Sequence, residues 1–496
     1  MTEKPLPYTI VIGLETHVQL QTETKLFCGC NTKFGAPPNT QTCPVCTGHP
    51  GTLPVMNGRA FELSLQTAVA LNCEIAPFTK WDRKQYYYPD LPKGYQISQY
   101  DLPFSHDGWL DISDPKGKFE PKRVRIIRAH LEEDAGKSVH DEQAGRADSR
   151  IDLNRAGTPL LEIVTQPDMR SPAEAKAYLT ELKLLLEYLG VSDCNMQEGS
   201  LRVDANVNLW IDGPDGKQIA TPIVEIKNMN SFRAVEKALA FETERQWAEW
   251  QETGRKLGDP GVFKRTFGWD DVKNRTHVQR EKEESSDYRY FPDPDLVPVT
   301  VSAEKVAAVR AALGEVPAAM RTRLEQAHGI TAYDSDVIVN QGRTFVDYFV
   351  AATEVSGDGK TTSNWLQQDV LRVMSERDLT IEAYPVTAAA LGDLLKRVKA
   401  GELDTGRGRE VLARMVDSGE TAAAAMAALG IEKVDESALV ALCEELVAAN
   451  PKLVADVKAG KQQAAGAFVG QAKKKNPNAN PGRVRELCLE IIAKLP

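Results

Sequence analysis

The periodicity of the sequence changes at a proline-rich segment, FPDPDLVPV, which spans residues 291–299. Before this segment, short runs of residues alternate between apolar and polar or are continuously apolar, and turn-forming Pro and Gly separate them. Such runs are typical of strands. After it, segments rich in Ala and charged residues repeat with a helical period. The pattern predicts a strand-rich region up to residue 295 and a mostly helical remainder.

At 496 residues the chain is too long for one ordinary core, so two or three domains are expected. The proline-rich segment supplies one boundary, and the glycines between residues 401 and 408 suggest another. We therefore predict domains at 1–295, 296–404 and 405–496.

Two capped helices are predicted inside the first of these domains. Ser171, Pro172 and Glu174 form an N-terminal capping box, and Gly190 ends that helix. A second helix is expected from about Ser231 to residue 251.

The composition, 42% hydrophobic and 26% charged, is typical of a soluble globular protein. No stretch approaches the roughly 20 apolar residues of a membrane helix, and the N-terminus does not resemble a secretory signal. These features predict a cytoplasmic protein that does not bind membranes.

The net charge of −10 argues against a general nucleic-acid binder, but residues 451–496 carry nine Lys or Arg against three acids, a local charge of +6. This basic end is either a contact for a polyanion or a solvated helical face, and charge alone does not decide between them.

Four of the eight cysteines are clustered as Cys28, Cys30, Cys43 and Cys46, in the pattern C-x-C-x12-C-x2-C. Two thiolate pairs on neighbouring turns can close a tetrahedral Zn²⁺ site, whereas four unrelated thiols rarely show this spacing. With sulfur in all four positions, the zinc would be structural, about one ion per chain.

Glu15, His17 and Gln19 share one face of a predicted strand, because side chains alternate along a strand. A Glu-x-His pair on one face is a plausible start to a divalent metal site. A single strand histidine is more often a structural residue.

Two further carboxylate positions strengthen the metal hypothesis. In the segment 130–134, Glu132 and Glu133 point to opposite faces of a strand, so only one of them can enter a given cleft. Glu162 lies inside an apolar run, where an unpaired carboxylate is unfavourable without a metal, a cation or a proton. Together with Glu15 and His17, these positions favour an oxygen-rich Mg²⁺ site.

The sequence contains no P-loop, because the glycine required five residues before Gly136 is replaced by Leu131. If ATP is used, carboxylate-held Mg²⁺ with basic residues on the phosphates is the expected arrangement. Each candidate cation is, by itself, more often a surface charge; the candidates are Arg83, Lys84, Lys93, Arg155 and Arg202.

Six segments together resemble the B subunit of the bacterial glutamyl-tRNA(Gln)/aspartyl-tRNA(Asn) amidotransferase. They follow the order of that family and lie at 11–20, 82–99, 130–138, 151–164, 198–206 and 287–296. Residues 450–471 match the family tail in part. After Gln471, however, the chain has Ala-Lys-Lys-Lys where a Met-containing helix is usual.

The resemblance implies an α+β fold: a mixed-sheet cradle domain related to the glutamine synthetase and guanidino kinase class, carrying a zinc-binding insert, then a helical domain and a helical tail that contacts tRNA. It implies that the chain phosphorylates the side-chain carboxylate of Glu-tRNA(Gln) or Asp-tRNA(Asn) with ATP and Mg²⁺. An amidase partner would supply ammonia, and a small C subunit would complete a heterotrimer.

The resemblance also implies roles for particular residues. His17, Glu133 and Glu162 match metal positions, with Glu15 beside them. Lys84 and Lys93 match positions associated with the ammonia path and the catalytic cavity. The remaining candidates are Arg155 and Arg202 for substrate or ATP, Lys473, Lys474 and Lys475 for tRNA, and the four cysteines for zinc.

Two alternatives to an enzyme of this kind remain at the level of sequence. One is a non-catalytic, zinc-stabilised tRNA-binding adaptor of an amidase. The other is a ligase that joins small carboxylates and amines without tRNA. The carboxylates inside apolar strands argue against the adaptor, and the basic tail argues against the small-molecule ligase.

Overall fold

The computed structural model describes residues 7–140, 149–213, 216–283, 288–431, 435–459 and 461–495. The chain divides into two compact units, Met1–Pro317 and Ala318–Pro496. The first is built around a large sheet and the second is helical, which confirms the predicted α+β class. The finer division at residues 295 and 404 stays a prediction.

The first unit contains both strands and helices. Its strands are β1 (Thr9–Gln19), β2 (Glu74–Ile75), β3 (Phe78–Thr79), β4 (Asp82–Gln85), β5 (Tyr95–Ser98), β6 (Ser105–Ile112), β7 (Lys122–Glu133), β8 (Lys137–His140), β9 (Ser149–Asp152), β10 (Pro159–Thr165), β11 (Leu201–Asp212), β12 (Gln218–Ala220), β13 (Val224–Lys227), β14 (Lys264–Asp270), β15 (Arg275–Glu283), β16 (Phe291–Pro292) and β17 (Val299–Thr300). Its helices are α1 (Gly58–Ala70), α2 (Pro172–Tyr188), α3 (Phe232–Thr253) and α4 (Ala303–Ala312).

Ten of these strands form one mixed sheet in the order β15-β14-β13-β11-β1-β10-β7-β6-β2, with β12 beside β11. The β13–β14 pair is parallel, and the other pairs of this sheet are antiparallel. Smaller sheets pair β16 with β4 and β5, β17 with β3, and β8 with β9.

One face of the large sheet is apolar and the other is polar, because side chains alternate along each strand. In β1, Leu14 and Val18 are fully buried in the core, whereas Glu15, His17 and Gln19 point to the opposite face and are partly exposed. Helices α1, α2 and α3 pack on the apolar face. We call the opposite face, which these helices do not cover, the open face of the sheet.

Helices α2 and α3 confirm the two predicted helices, with one difference at the first cap. The Ser171 hydroxyl accepts from the N–H of Glu174 as expected. The Glu174 carboxylate, however, accepts from the N–H of Arg170 and pairs with Lys122 on β7. The predicted hydrogen bond from the N–H of Ser171 to the Glu174 carboxylate is therefore wrong, because the Lys122 ammonium on the sheet lies within reach of that carboxylate. The left-handed Gly254 ends α3.

The second unit is helical throughout its described residues. Its helices are α5 (Pro317–His328), α6 (Ala332–Val339), α7 (Arg343–Ser356), α8 (Gly359–Trp365), α9 (Leu371–Arg377), α10 (Ala388–Lys399), α11 (Thr405–Ser418), α12 (Ala422–Ala428), α13 (Glu436–Ala449), α14 (Pro451–Lys458), α15 (Gly466–Lys475) and α16 (Pro481–Lys494). A π-helical turn, Leu366–Val370, joins α8 to α9, and short 3₁₀ segments cover Ile381–Ala383 and Gln462–Ala465.

The end of the chain has a small core of its own. Phe468, Cys443 and Cys488 are fully buried where α13, α15 and α16 meet. Among the described residues, no helix combines the length and the apolar character that crossing a bilayer would require.

Candidate active site

Four neighbouring strands bring polar side chains into one row on the open face of the sheet. His130 of β7, Glu162 of β10, His17 of β1 and Arg202 of β11 are directly opposite one another in successive strand pairs. Directly opposed residues have Cβ atoms roughly 4.5–5.5 Å apart, so these side chains interact. Further polar residues flank the row. We call Glu15, His17, Glu132, Glu162 and Asp204 the acidic centre.

The acidic centre contains two overlapping groups of potential metal ligands. Ligand atoms of His17, Glu132 and Glu162 lie within 4.8 Å of one another, and so do those of Glu15, His17 and Asp204. His17 Nδ1 is 3.4 Å from Glu132 Oε1 and has no well-formed hydrogen bond within the described residues. A buried imidazole nitrogen without a well-formed hydrogen bond among the described residues, beside several carboxylates, fits a hard divalent cation such as Mg²⁺.

The carboxylates of the acidic centre attract positive charge. Burial lowers the pKa of His17, but its contact with Glu132 outweighs this effect and raises the pKa to about 9. Burial raises the pKa of Glu132, but His17 brings it down to about 2. Burial and the charge of Glu132 raise the pKa of Glu162. Two buried carboxylates thus repel each other, and a cation between them would relieve that repulsion.

Glu133 does not belong to the acidic centre. Its carboxylate forms an ion pair with Lys93 and accepts a hydrogen bond of 2.9 Å from the N–H of Ile97. Consecutive residues of a strand point to opposite faces, and here it is Glu132 that points to His17. In this geometry Glu132, and not Glu133, therefore lies beside His17.

Arg155 and Arg202 are both directed at Asp134. The Arg202 guanidinium forms a bidentate pair with the Asp134 carboxylate at 3.0 and 2.9 Å. Arg155 lies 3.6 Å from the same carboxylate and donates to the carbonyls of Ala135 and Gly136. Burial raises the pKa of Asp134, but these two arginines lower it below its usual value. In this structure both arginines therefore position the loop that follows β7.

Lys84 lies against aromatic rings and has no carboxylate within ion-pairing distance among the described residues. Its Nζ is 4.9 Å from the ring centroid of Tyr288 and 5.9 Å from that of Tyr86. Its charge nevertheless acts on Glu132 and Glu162, which places it beside the acidic centre.

Two cavities adjoin these groups. A mainly apolar cavity of about 700 Å³ opens beside Glu15, with Trp210 and Ile223 in its wall and Asn206 and Lys264 among its polar groups. A second cavity of about 220 Å³ lies between the cysteine cluster and the Lys93–Glu133 pair; Cys28, Cys46, Lys93 and Glu133 line it. Neither cavity is visible in the sequence, because each is enclosed by segments far apart in the chain.

The four clustered cysteines come together as the sequence predicts. The Sγ atoms of Cys28, Cys30, Cys43 and Cys46 lie within 4.8 Å of one another, so this cluster can bind a metal such as zinc. A hydrogen bond from Cys28 and the nearby Lys25 ammonium lower the pKa of Cys46 to about 4, although burial opposes them. At least one thiolate is therefore favoured near neutral pH. The other four cysteines are buried, as expected of small apolar residues.

Lys25 gives an independent test of whether the cluster suits a metal. This side chain is 0% exposed, and its Nζ lies 2.8 Å from the carbonyl of Gln41, 3.3 Å from that of Leu153 and 3.5 Å from Cys46 Sγ. In the described part of the chain, no carboxylate lies within ion-pairing distance of it. A buried ammonium needs a counter-charge, and a zinc ion with four thiolates, which carries a net charge of −2, would provide one.

The three lysines predicted to contact tRNA differ in their surroundings. Lys473 pairs with Asp404 at 2.7 Å, and Lys475 pairs with Glu445 at 2.5 Å. Lys474 is exposed and has no ion-pair partner among the described residues. Two of these three lysines are thus neutralised within the chain. A role of these lysines in binding tRNA stays a prediction.

Asp204, Asn206 and Arg128 are not among the residues predicted from the sequence. The first two carry a signal that would have found them: in LRVDAN, Arg202, Asp204 and Asn206 alternate with apolar residues and so share one strand face. Asn206 donates to Glu15 at 2.9 Å. Arg128 shares a face with His130 and Glu132 by the same alternation.

Comparison with known proteins agrees with the resemblance found in the sequence. Residues 10–307 match the model of the GatB/GatE catalytic domain, and residues 347–492 match that of the GatB domain. The chain is 60% identical over 489 residues to the B subunit of the aspartyl/glutamyl-tRNA(Asn/Gln) amidotransferase of Rhodopirellula baltica, covering 99% of this chain and 98% of the relative.

More distant relatives carry the same name. The corresponding protein of Moorella thermoacetica is 46% identical, with 98% of this chain and 100% of the relative covered. That of Thermosynechococcus vestitus is 46% identical, with 98% and 97% covered. The chain therefore belongs to the family of the aspartyl/glutamyl-tRNA(Asn/Gln) amidotransferase B subunits.

Proposed function

We propose that this chain uses ATP to phosphorylate the side-chain carboxylate of Glu-tRNA(Gln) or Asp-tRNA(Asn) and then replaces the phosphate by ammonia. The products are Gln-tRNA(Gln) and Asn-tRNA(Asn). The observation that carries this proposal is the cavity of about 700 Å³ that opens beside the acidic centre. An apolar cavity next to clustered carboxylates suits a nucleotide whose base is buried and whose phosphates approach a carboxylate-held cation.

In this proposal, the residues of the acidic centre bind the metal ion. His17, Glu132 and Glu162 would hold the Mg²⁺ that accompanies ATP, with Glu15 and Asp204 beside them. A Mg²⁺ ion bound by these residues would neutralise charge on the phosphates. Glu133, which the resemblance named as a metal position, is left out of this group because its carboxylate pairs with Lys93.

The chemistry requires two displacements. An oxygen of the substrate carboxylate attacks the γ-phosphorus, the bond from that phosphorus to the β,γ-bridging oxygen breaks, and ADP leaves. Ammonia then attacks the carbonyl carbon of the acyl phosphate, inorganic phosphate leaves, and a proton is released. The first step turns a poor leaving group into a good one, and a cavity that excludes water protects the acyl phosphate from hydrolysis.

The second cavity suits the route of ammonia. Lys93 and Glu133 line this space of about 220 Å³. Lys84 stands nearer the acidic centre, held by Tyr86 and Tyr288. The ammonia would come from glutamine through an amidase partner, and a small C subunit would complete a heterotrimer located in the cytoplasm.

The cysteine cluster is assigned a structural zinc. With four sulfur ligands the ion would have no open position for water. It would therefore stabilise the segment from Cys28 to Cys46, in which the structure shows no long helix or strand.

The decisive experiment measures amide formation on charged tRNA. Glu-tRNA(Gln) is incubated with ATP, Mg²⁺ and ammonium chloride, with and without the amidase partner, because free ammonia bypasses glutamine hydrolysis. We expect Gln-tRNA(Gln) and one ADP per amide, and loss of the product in His17→Ala. If the tRNA is bound but ATP is not consumed even with the partner present, the protein is the zinc-stabilised adaptor and the proposal is refuted.

A further inference from the structure

Arg128 is a basic residue beside the acidic centre that the mechanism above does not use. It lies on β7, two residues before His130 and four before Glu132, so all three share the open face of the sheet. Its strand neighbour on β10 is Val164, which in turn is opposite Glu15 on β1. The position of Arg128 is therefore within the same polar face as the proposed metal ligands.

The guanidinium of Arg128 is positioned without an ion pair among the described residues. In the described part of the chain, no carboxylate lies within ion-pairing distance of it, and its Nε is buried without a hydrogen bond. Its charge nevertheless acts on Glu162 and His130. A cation this close to an acidic cluster, yet paired with none of its members, has donors available for a ligand.

Tyrosine rings explain how this cation is held without a carboxylate. The Arg128 Cζ lies 6.0 Å from the ring centroid of Tyr100. Tyr100 is 48% exposed and stacks on Tyr290, with centroids 3.9 Å apart and planes inclined by 9°. Cation–π contacts position a guanidinium while leaving its N–H groups free.

Lys84 is held in the same way on the same wall. Tyr288, against which Lys84 rests, is 6.1 Å from Tyr290 between ring centroids. Two cations thus approach the acidic centre, and aromatic rings rather than carboxylates support both. This arrangement suits an anion that is present only during the reaction, because a permanent carboxylate partner would compete with that anion.

We infer that Arg128, held against Tyr100 and acting with Lys84, binds the phosphoryl group during its transfer from ATP to the substrate carboxylate. This inference rests on the proposed function and adds to it a phosphoryl-binding residue and the aromatic wall that positions it. As the bond to the bridging oxygen breaks, negative charge is shared among the oxygens of the phosphoryl group and the leaving ADP. The planar guanidinium can donate two parallel hydrogen bonds to those oxygens.

The test uses the assembled amidotransferase with Glu-tRNA(Gln), Mg²⁺ and ammonium chloride, and measures kcat and the KM values for ATP and tRNA. Arg128→Met should lower kcat roughly 10²–10³-fold, because it removes a donor to developing charge. The kcat of Arg128→Lys should lie between those of wild type and Arg128→Met. An ammonium group keeps the positive charge but cannot donate two parallel hydrogen bonds as a guanidinium does. The KM for tRNA should stay within about threefold of wild type in both variants.

Tyr100 is a positioning residue and has its own pair of variants. Tyr100→Phe keeps the ring and should retain wild-type kcat, whereas Tyr100→Leu should lower kcat roughly 3- to 10-fold. The matched control is Arg123→Met. Arg123 lies on the same strand and 4.7 Å from the Trp109 ring, but it is exposed and pairs with Asp111. This control should leave every constant unchanged.

The outcomes separate this inference from the proposed function. If the wild-type complex forms no amide with ATP, the proposed function fails and the inference fails with it. If the wild type is active and Arg128→Met matches Arg123→Met, the inference alone is overturned. A rise confined to the KM for tRNA also overturns it, because Arg128 would then bind the tRNA. Should Arg128→Met fail to fold, Arg128→Lys and Tyr100→Leu decide by the same criteria.

Discussion

Replacing Lys93 with methionine should destabilise the first unit of the protein. The Lys93 and Glu133 side chains form a buried ion pair, 8% and 3% exposed. Methionine fills most of the space of the lysine stem but removes the charge. Glu133 would remain buried, with the N–H of Ile97 at 2.9 Å as a remaining donor.

The size of the effect follows from the burial of the carboxylate that is left behind. Breaking a buried pair by removing one partner costs roughly 3–5 kcal/mol of unfolding free energy. Because Ile97 still donates to Glu133, we expect a value near the lower end, about 3 kcal/mol. For a unit of 317 residues, with an unfolding entropy of about 2.1 cal/mol/K per residue, the melting temperature should fall by roughly 4–5 °C. Removing both charges, in Lys93→Met/Glu133→Gln, should cost about 1 kcal/mol or less.

Tryptophan fluorescence during thermal or urea unfolding measures this effect in the intact chain. Trp365 is the only one of the seven tryptophans that lies in the second unit, so the signal reports mainly on the first. The wild type, both single variants and the double variant complete a double-mutant cycle. A Lys93→Met variant that melts within about 2 °C of wild type would refute the reasoning. So would a double variant as unstable as Lys93→Met alone.

Four further predictions concern the metal sites and the tail. Glu132→Gln should lower amide formation with ammonium roughly 10²–10³-fold while tRNA binding persists, because a ligand of the proposed Mg²⁺ loses its charge. Lys25→Met should accelerate loss of zinc to a chelator roughly tenfold, because the buried counter-charge of the thiolates is gone. Lys474→Glu should weaken tRNA binding more than Lys473→Glu, since Asp404 already neutralises Lys473. Removing residues 405–496 should raise the KM for tRNA and leave the KM for ATP unchanged.

The two metal-site predictions have controls within the chain. Glu62→Gln, on an exposed carboxylate, and Lys33→Met, on an exposed lysine of the cysteine-containing segment, should change neither activity nor zinc release. Unaltered activity in Glu132→Gln would remove this residue from the metal site. Equal zinc release in the Lys25 and Lys33 variants would show that the thiolates need no buried cation. A truncated chain with an unchanged KM for tRNA would revive the small-molecule ligase hypothesis.

Local patterns predicted the elements of the fold but not their arrangement. The alternation in β1, the apolar run of β10 and the caps of α2 and α3 are short-range features, and all four elements form where expected. The order of strands in the sheet is a long-range feature, because β1 pairs with β10 and β11, which lie more than 140 residues later in the chain. Sequence periodicity carries no information about such partners.

In the candidate site, too, local sequence predicted some features and the strand pairing decided others. Alternation puts Glu15 and His17 on one face whatever the strand pairs with, and it also predicts that only one of Glu132 and Glu133 can enter the cleft. Which of the two enters depends on which of these side chains lies on the polar side of the sheet. That is fixed by the pairing of His130 with Glu162.

The sequence by itself therefore determined the family, the α+β class, the spacing of the four cysteines and the strand face that carries Glu15 and His17. All of these depend on covalent geometry over a few residues or on motifs in a fixed order. Only the tertiary structure decided that Glu132 joins His17, that Arg155 and Arg202 converge on Asp134, and that Lys25 is buried beside Cys46. These are pairings between distant segments, and the partner of a charge is settled by strand register and packing, which local sequence does not encode.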